Sequence, residues 1–243
     1  MVLNVGAFPD TIDPALNSAV DGGTYIVHAF SGLVGYEQDA DGKLVLVPQC
    51  AKELPTVEKL DNGMASYTFK LRDGLKWSDG SDLTAADFVY AWNRAADPMT
   101  GADYAYMFEG IDGYAALSDM YVTEEDAEGN IKFVTDADGK PTYKDGKKAL
   151  NVTASEDGKE LTVVLTVDLP YFFELCAFPT YMPVKKDVVD GNDAWATKAE
   201  TYIGNGAYKV TEFTQTQPVM EKNEVWKSCR RSALKKRTED RED

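Results

Sequence analysis

Apolar and polar residues alternate most sharply from Ser66 to Arg72. Tyr67, Phe69 and Leu71 point one way while Thr68, Lys70 and Arg72 point the other, which predicts a half-buried strand. Asp73-Gly74 turns the chain, and Leu75 and Trp77 resume the alternation as a second strand. Thr84 then opens a capping box with Asp87, and Phe88, Ala91, Trp92 and Ala95 follow at helical spacing, forming one apolar face. Leu161, Val163 and Leu165 alternate with Thr162, Val164 and Thr166 in another strand. Leu169-Pro170-Tyr171-Phe172-Phe173 begins a helix, with proline at a permitted first-turn position.

Elsewhere the pattern is shorter. MVLNVGAF at the start reads as a strand, residues 17–30 as a loop entering a helix, and 42–48 as a strand. Residues 118–157 are polar and rich in turns, with short strands at 131–134 and 150–154. A late strand at 207–213 has a partner at 219–222. From Ser66 to Ala96 the order is thus strand, turn, strand, capped helix.

Composition narrows the function. The 243 residues carry 25 basic and 41 acidic side chains, a net charge of −16. The last 17 hold seven basic and four acidic groups, so the remainder stands at −19. Such a body is repelled by phosphate backbones and anionic membrane surfaces, which argues against nucleic-acid binding. No apolar run approaches the length of a membrane-spanning helix, and no targeting signal is present in the chain as given. Cys50, Cys176 and Cys229 are odd in number and lack metal-ligand spacing, so they suggest neither a disulfide framework nor a zinc site.

Catalysis lacks reagents. The single histidine, His28, sits where Tyr25, Ile26, Ala29, Phe30 and Leu33 recur at helical spacing, the setting of a packed or helix-surface residue. With one histidine there is no HExxH, and GxSxG, GxxxxGK[ST] and GxGxxG are absent; Gly204-Asn205-Gly206 lacks the third glycine. Asp39-Ala-Asp41-Gly42 and Asp136-Ala-Asp138-Gly139 imitate the start of a calcium loop. Aligned on their glycines, positions 1 and 12 are Glu37 and Pro48 in the first and Val134 and Asp145 in the second, so both fail. Asp-Gly-Lys at 41, 138, 145 and 157 fits tight hairpin turns better. Among 41 acids some pair lies at any chosen separation, so a glycosidase reading has no support. No catalytic residue, metal site or cofactor is expected.

The run from Tyr67 to Gly80 (YTFKLRDGLKWSDG), followed by Leu83 to Trp92 (LTAADFVYAW), resembles the signature of bacterial extracellular solute-binding proteins of family 5. These are oligopeptide- and dipeptide-binding subunits of ABC transporters. Thr11-Ile-Asp-Pro14, Phe30-Ser-Gly-Leu33, Ala96-Asp-Pro98 with Tyr104-Ala-Tyr106, and Asn205-Gly-Ala-Tyr208 resemble further family motifs in the right order. The aromatic residues of the signature are mostly core residues, so it identifies a fold better than a pocket. Gly206 and Tyr208 are expected to serve a turn and its packing.

The resemblance implies a periplasmic-binding-protein-like α/β fold (class II, cluster C type), a two-lobed clamp with a discontinuous first lobe. Residues 1–46 and 168–226 would form an incomplete first lobe and 47–167 an inserted α+β domain, with the second lobe missing. Past Trp226 the charged sequence matches no family motif, so 227–243 is expected to be a disordered or frayed tail, either native or read out of frame. By motif position, Ser18, Ala19 and Val20 match the segment that meets a peptide backbone, and Tyr104 a tyrosine bordering the site. Where the family segment can carry a glutamate, this chain has Ser18. The implied protein is non-enzymatic and extracytoplasmic, as a cell-surface lipoprotein or in the periplasm. Its partners are an oligopeptide and the permease subunits. A solute such as nickel, haem or an oligosaccharide, and an adhesion role on the same fold, are the alternatives. An incomplete lobe also exposes apolar surface that would recruit a second copy.

Overall fold

The capping box forms as its residues require. The Thr84 N–H donates to the Asp87 carboxylate at 2.8 Å, and helix Ala85–Ala96 starts there. The computed structural model describes residues 9–214 and 218–226; the expected N-terminal strand and the charged tail lie outside them. In chain order the helices are α1 Val20–Ala29, α2 Ala85–Ala96, α3 Tyr114–Leu117, α4 Phe172–Cys176 and α5 Lys186–Val189. The strands are β1 Val34–Gln38, β2 Leu44–Pro48, β3 Glu58–Lys59, β4 Ala65–Lys70, β5 Thr123–Glu125, β6 Ile131–Phe133, β7 Val152–Ala154, β8 Glu160–Leu165, β9 Tyr208–Phe213 and β10 Pro218–Lys222.

The central layer is an antiparallel sheet in the order β3-β4-β8-β7. Its register sets Tyr67 opposite Val163 and Phe69 opposite Leu161, all buried. The alternate positions form the other face, where the Thr68 and Thr162 hydroxyls meet at 3.0 Å. The inner face is covered twice. α2 packs on β7 and β8 through the foreseen stripe of Phe88, Ala91, Trp92 and Ala95, every one buried. α4 brings Phe172 to 5.2 Å from Tyr67, and Phe173 to 6.1 Å from Phe69. Trp92 donates to the Tyr181 carbonyl at 2.7 Å, and Tyr181 stacks on Phe108 at 4.3 Å. One core runs through both the region expected to be lobe and the region expected to be insert, and β2 spans the expected boundary at 46/47.

Several elements differ from expectation. Leu75–Trp77 forms no second strand: the chain loops back on itself, with Trp77 N–H donating to Ser81 and Leu83 N–H to Leu75, and Lys76 bridging only Asp82. α1 occupies the expected segment and ends at Ala29, with Phe30 as its C-cap; Phe30 and Leu33 are both buried. α4 starts at Phe172, two residues after Pro170, which belongs to the preceding turn. The exposed strand β5 was not foreseen, because Thr-Glu-Glu carries no alternation.

The Asp-Gly-Lys segments do turn the chain, with positive φ at Gly42, Gly139, Gly146 and Gly158 alone and at no aspartate. They are longer loops than two-residue hairpins. Asp39 Oδ1 accepts from the N–H groups of Asp41 and Lys43, both at 2.9 Å, and Asp136 does the same for Asp138 and Lys140. The spacing that imitates a calcium loop is thus that of a carboxylate closing its own turn.

The end of α1 is where the Asn205-Gly206 motif acts. The Gly206 N–H donates to the Ala29 carbonyl at 2.7 Å, and the Asn205 amide pairs with both backbone groups of Ser31, at 3.0 and 2.9 Å. Gly206 is not required by a positive φ. A Cβ there would stand 2.6 Å from backbone atoms of His28, Ala29 and Phe30. The approach of one backbone to another, and not a turn, demands glycine.

Two predictions follow from this packing. Gly206→Ala costs about 3 kcal/mol in urea unfolding because backbone must shift, whereas Gly63→Ala, with positive φ but open space, costs only about 1 kcal/mol. Equal losses would contradict the backbone contact. The second concerns acid. Desolvation raises the Asp79 carboxyl, but the Lys185 ammonium and the Ser81 hydroxyl and N–H outweigh it and hold it at about 2. Because the folded value lies below the unfolded one, this stabilisation is present above about pH 4 and is lost as pH falls through about 2. Asp79→Asn therefore flattens the stability profile across that window by about 1 kcal/mol, measured by denaturant unfolding at each pH.

Candidate functional site

Ser18, Ala19 and Val20 lead into α1, and all three are exposed, Val20 by 89%. Ala19 is the N-cap, in extended conformation at φ −114° and ψ 152°, with no side-chain cap. Its carbonyl is used twice, by Gly23 N–H at 3.0 Å and by the Asn17 side chain at 2.9 Å. Among the described residues, the N–H and C=O of Ser18 and the N–H groups of Ala19 and Val20 have no partner. Val20 is already the first residue of α1; ahead of it the exposed Ser18–Ala19 step, extended at Ala19, has unused main-chain groups that can meet a second extended chain.

The preceding turn is fixed from within the protein. The Asp13 carbonyl accepts from Leu16 and Asn17 N–H at 3.1 and 2.9 Å, and Asp13 Oδ1 accepts from Ala15 N–H at 2.9 Å. Arg94, in the last turn of α2, gives the Asp13 carboxylate two hydrogen bonds, at 3.0 and 2.6 Å, and Trp195 Nε1 gives a third at 3.0 Å. The Asp13 side chain is 3% exposed. Asn17 is buried as well, and its Oδ1 and the Thr11 carbonyl fill the space that a Cβ on Gly22 would need. Asp13 lies in a motif noted above, but neither its partners nor the roles of Asn17 and Arg94 carry a sequence signal.

Tyr104 is half-buried on the segment after α2. Its ring lies edge-on to Phe178 at 4.9 Å and near Tyr106 at 6.1 Å. Phe178 caps the 3₁₀ turn Pro179–Tyr181, which packs on α1 and α2. Tyr104 is therefore joined through that turn to the helix that begins at Val20.

A separate cleft of about 390 Å³ is lined by Ser31, Gln49, Arg72, Lys76, Asn205 and Trp226, among others. None of the four expected residues lines it. Ser31 follows the far end of α1, a ten-residue helix, so this cleft sits about 15 Å from the strip. Arg72 there spends its Nε–H on the Gln49 carbonyl at 2.6 Å. No group of three or more potential metal-ligating side chains occurs among the described residues.

The family model for bacterial extracellular solute-binding proteins, family 5 (middle region), matches residues 45–237. The chain belongs to this family. The family-5 match runs past Trp226, where the quoted motifs stop, into the charged tail. Oligopeptide-binding protein OppA of Bacillus subtilis is 32% identical over 237 residues, 96% of this chain and 37% of that protein. The periplasmic murein peptide-binding protein MppA of Escherichia coli is 32% identical over 87% of this chain and 34% of its own length. Among solved structures, Haemophilus influenzae OppA in complex with RPPGFSPFR matches at TM-score 0.69 and 30% identity, over 92% of this chain and 38% of that one. Listeria monocytogenes OppA bound to peptide matches at 0.68 and 27%, over 91% and 38%. The chain thus has the α/β fold of family-5 binding proteins and spans little more than a third of these relatives' length.

The geometry separates the ring of Tyr104 from its hydroxyl, which bonds to nothing among the described residues. Tyr104→Phe changes stability by less than about 0.5 kcal/mol, and Tyr104→Ala lowers it by about 1 kcal/mol through the lost Phe178 contact, both read from thermal unfolding. A large loss in the phenylalanine variant would mean that the hydroxyl is a structural group.

Proposed function

We propose that this chain forms one wall of the peptide site of an ABC-transporter solute-binding protein, and that a peptide lies extended along Ser18, Ala19 and Val20 with Tyr104 at its border. The observation that carries this reading is the exposed step Ser18–Ala19, extended at Ala19, whose unpaired main-chain groups, with the N–H of Val20 at the start of α1, are open to a second chain. The peptide-bound relatives support the ligand class. Main-chain pairing supplies affinity without reading side chains, which suits a carrier of varied peptides.

The same proposal divides the chain into an incomplete lobe, residues 1–46 and 168–226, and an insert at 47–167. It makes the protein a non-enzymatic, extracytoplasmic carrier that delivers peptide to permease subunits. The names of the relatives, periplasmic or peptide-binding, support both points. The half-exposed apolar residues Tyr36 and Leu44 on the β1–β2 hairpin favour self-association of this chain at high concentration.

A peptide on this open strip is contacted from one side only, so binding is weak. Titration calorimetry with tri-alanine gives no micromolar binding. An amide NMR titration at millimolar tri-alanine moves the signals of Ser18, Ala19, Val20 and Tyr104. Micromolar binding would contradict the one-sided contact, and shifts confined to the cleft around Arg72 and Asn205 would move the site there.

A further inference from the structure

The strip is useful to a peptide only if it stays at a set distance from the Tyr104 wall. The Ala19 and Val20 carbonyls are tied into the first turn of α1 by Gly23 N–H and Thr24 Oγ1, while Ser18 has no main-chain partner among the described residues, so the placement of the strip is decided by the segment before it. That placement is set from Asp13. Its carbonyl closes the turn that ends at Asn17, and its carboxylate is tied to Trp195 and, by two bonds, to Arg94. Arg94 stands ten residues before Tyr104. The stretch between them is short and braced: Asp97 caps the 3₁₀ turn Pro98–Thr100 and accepts the Tyr121 hydroxyl at 2.6 Å. The Asp13–Arg94 pair therefore crosses from the segment bearing the strip to the segment bearing the tyrosine.

We infer that Asp13 is a positioning residue for ligand binding, and that its carboxylate, held by Arg94 and Trp195, sets the Ser18–Val20 strip in register with Tyr104. This rests on the peptide reading above for its purpose, but its structural content stands apart from that reading. The competing account is an ordinary buried ion pair that stabilises the whole fold equally. Asn17 acts downstream: its amide carries the fixed turn to the Ala19 carbonyl, at 2.9 Å. Asp13→Asn keeps the shape and leaves the Arg94 guanidinium, 18% exposed, without its charge partner.

Amide hydrogen exchange on the whole chain, followed by NMR, separates the two accounts. In Asp13→Asn, the amides of Leu16, Asn17 and Gly23 lose about a hundredfold in protection while those of β4 and β8 stay within about threefold. Millimolar tri-alanine, which shifts the Ser18–Val20 amides in the unaltered protein, no longer does so. A fall of the same factor in β4 and β8, or unchanged protection at Leu16 and Asn17, overturns the inference. Should Asp13→Asn not fold, Arg94→Lys, which keeps the charge but loses the two-pronged geometry, is measured instead. It is expected to loosen the same three amides by about tenfold and leave the sheet alone. Uniform loosening there is equally fatal. If tri-alanine shifts nothing in the unaltered protein, the peptide reading fails, and the exchange pattern still decides whether Asp13 holds the strip.

Discussion

A buried carboxylate must be matched by donors or it destabilises everything around it, and in this protein the carboxylate of Asp13 is matched completely. It receives one backbone N–H, two guanidinium bonds and an indole N–H. Those donors come from the turn itself, from α2 and from the region after α5, so three parts of the chain distant in sequence share one charge. Around it the packing is aromatic: Trp195 stacks on Tyr202 at 5.5 Å, Phe30 meets Tyr202 edge-on at 5.4 Å, and Tyr202 donates to the Ile12 carbonyl at 2.7 Å. Burial drives the Tyr202 hydroxyl well above its ordinary value, so it stays a neutral donor.

α1 is consequently defined at both ends by other segments. At its start, Asn17 and Gly22 fit into each other under the Asp13 turn. At its end, the Gly204–Gly206 segment presses directly on the Ala29 carbonyl. A ten-residue helix is marginal alone, and a helix gripped this way needs little intrinsic propensity. That explains why VDGGTYIVHA, with two glycines inside, is helical at all.

What could be read in advance follows from how local each interaction is. The strand pair β4–β8, the capped α2 and the hairpin β9–β10 rest on alternation, helical spacing and a three-residue box, all visible within a short window. The family motifs identified the fold, and the fold is that of the relatives. The failures share a cause. Gly206 was expected to serve a turn, but it is demanded by the end of α1, about 175 residues earlier, whose Ala29 carbonyl its N–H meets. Residues 75–77 alternate as a strand should, but Ser81 and Asp82 fold back on them before a sheet partner arrives. Ser18–Val20 were picked out only through resemblance and stay a proposal, since three exposed uncharged residues carry no chemistry of their own. Their support by Asp13, Asn17 and Arg94 was not legible, because pairing across 81 residues leaves no trace in spacing.

The lack of chemistry in the strip is itself informative. Serine, alanine and valine offer no charge. In a chain carrying −16, a carboxylate beside the proposed peptide would favour cationic peptide ends and disfavour acidic side chains. In the proposed site a neutral strip removes that bias at the point of contact and leaves main-chain groups to supply the affinity. Under that proposal selectivity comes from shape and from Tyr104, whose ring is braced by Phe178 while its hydroxyl has no partner among the described residues. Rigidity becomes the main requirement, because a main-chain ladder tolerates any side chain but not a displaced backbone. In the proposed site, the fully matched charge of Asp13, placed one turn ahead of the strip, meets that requirement without touching the ligand.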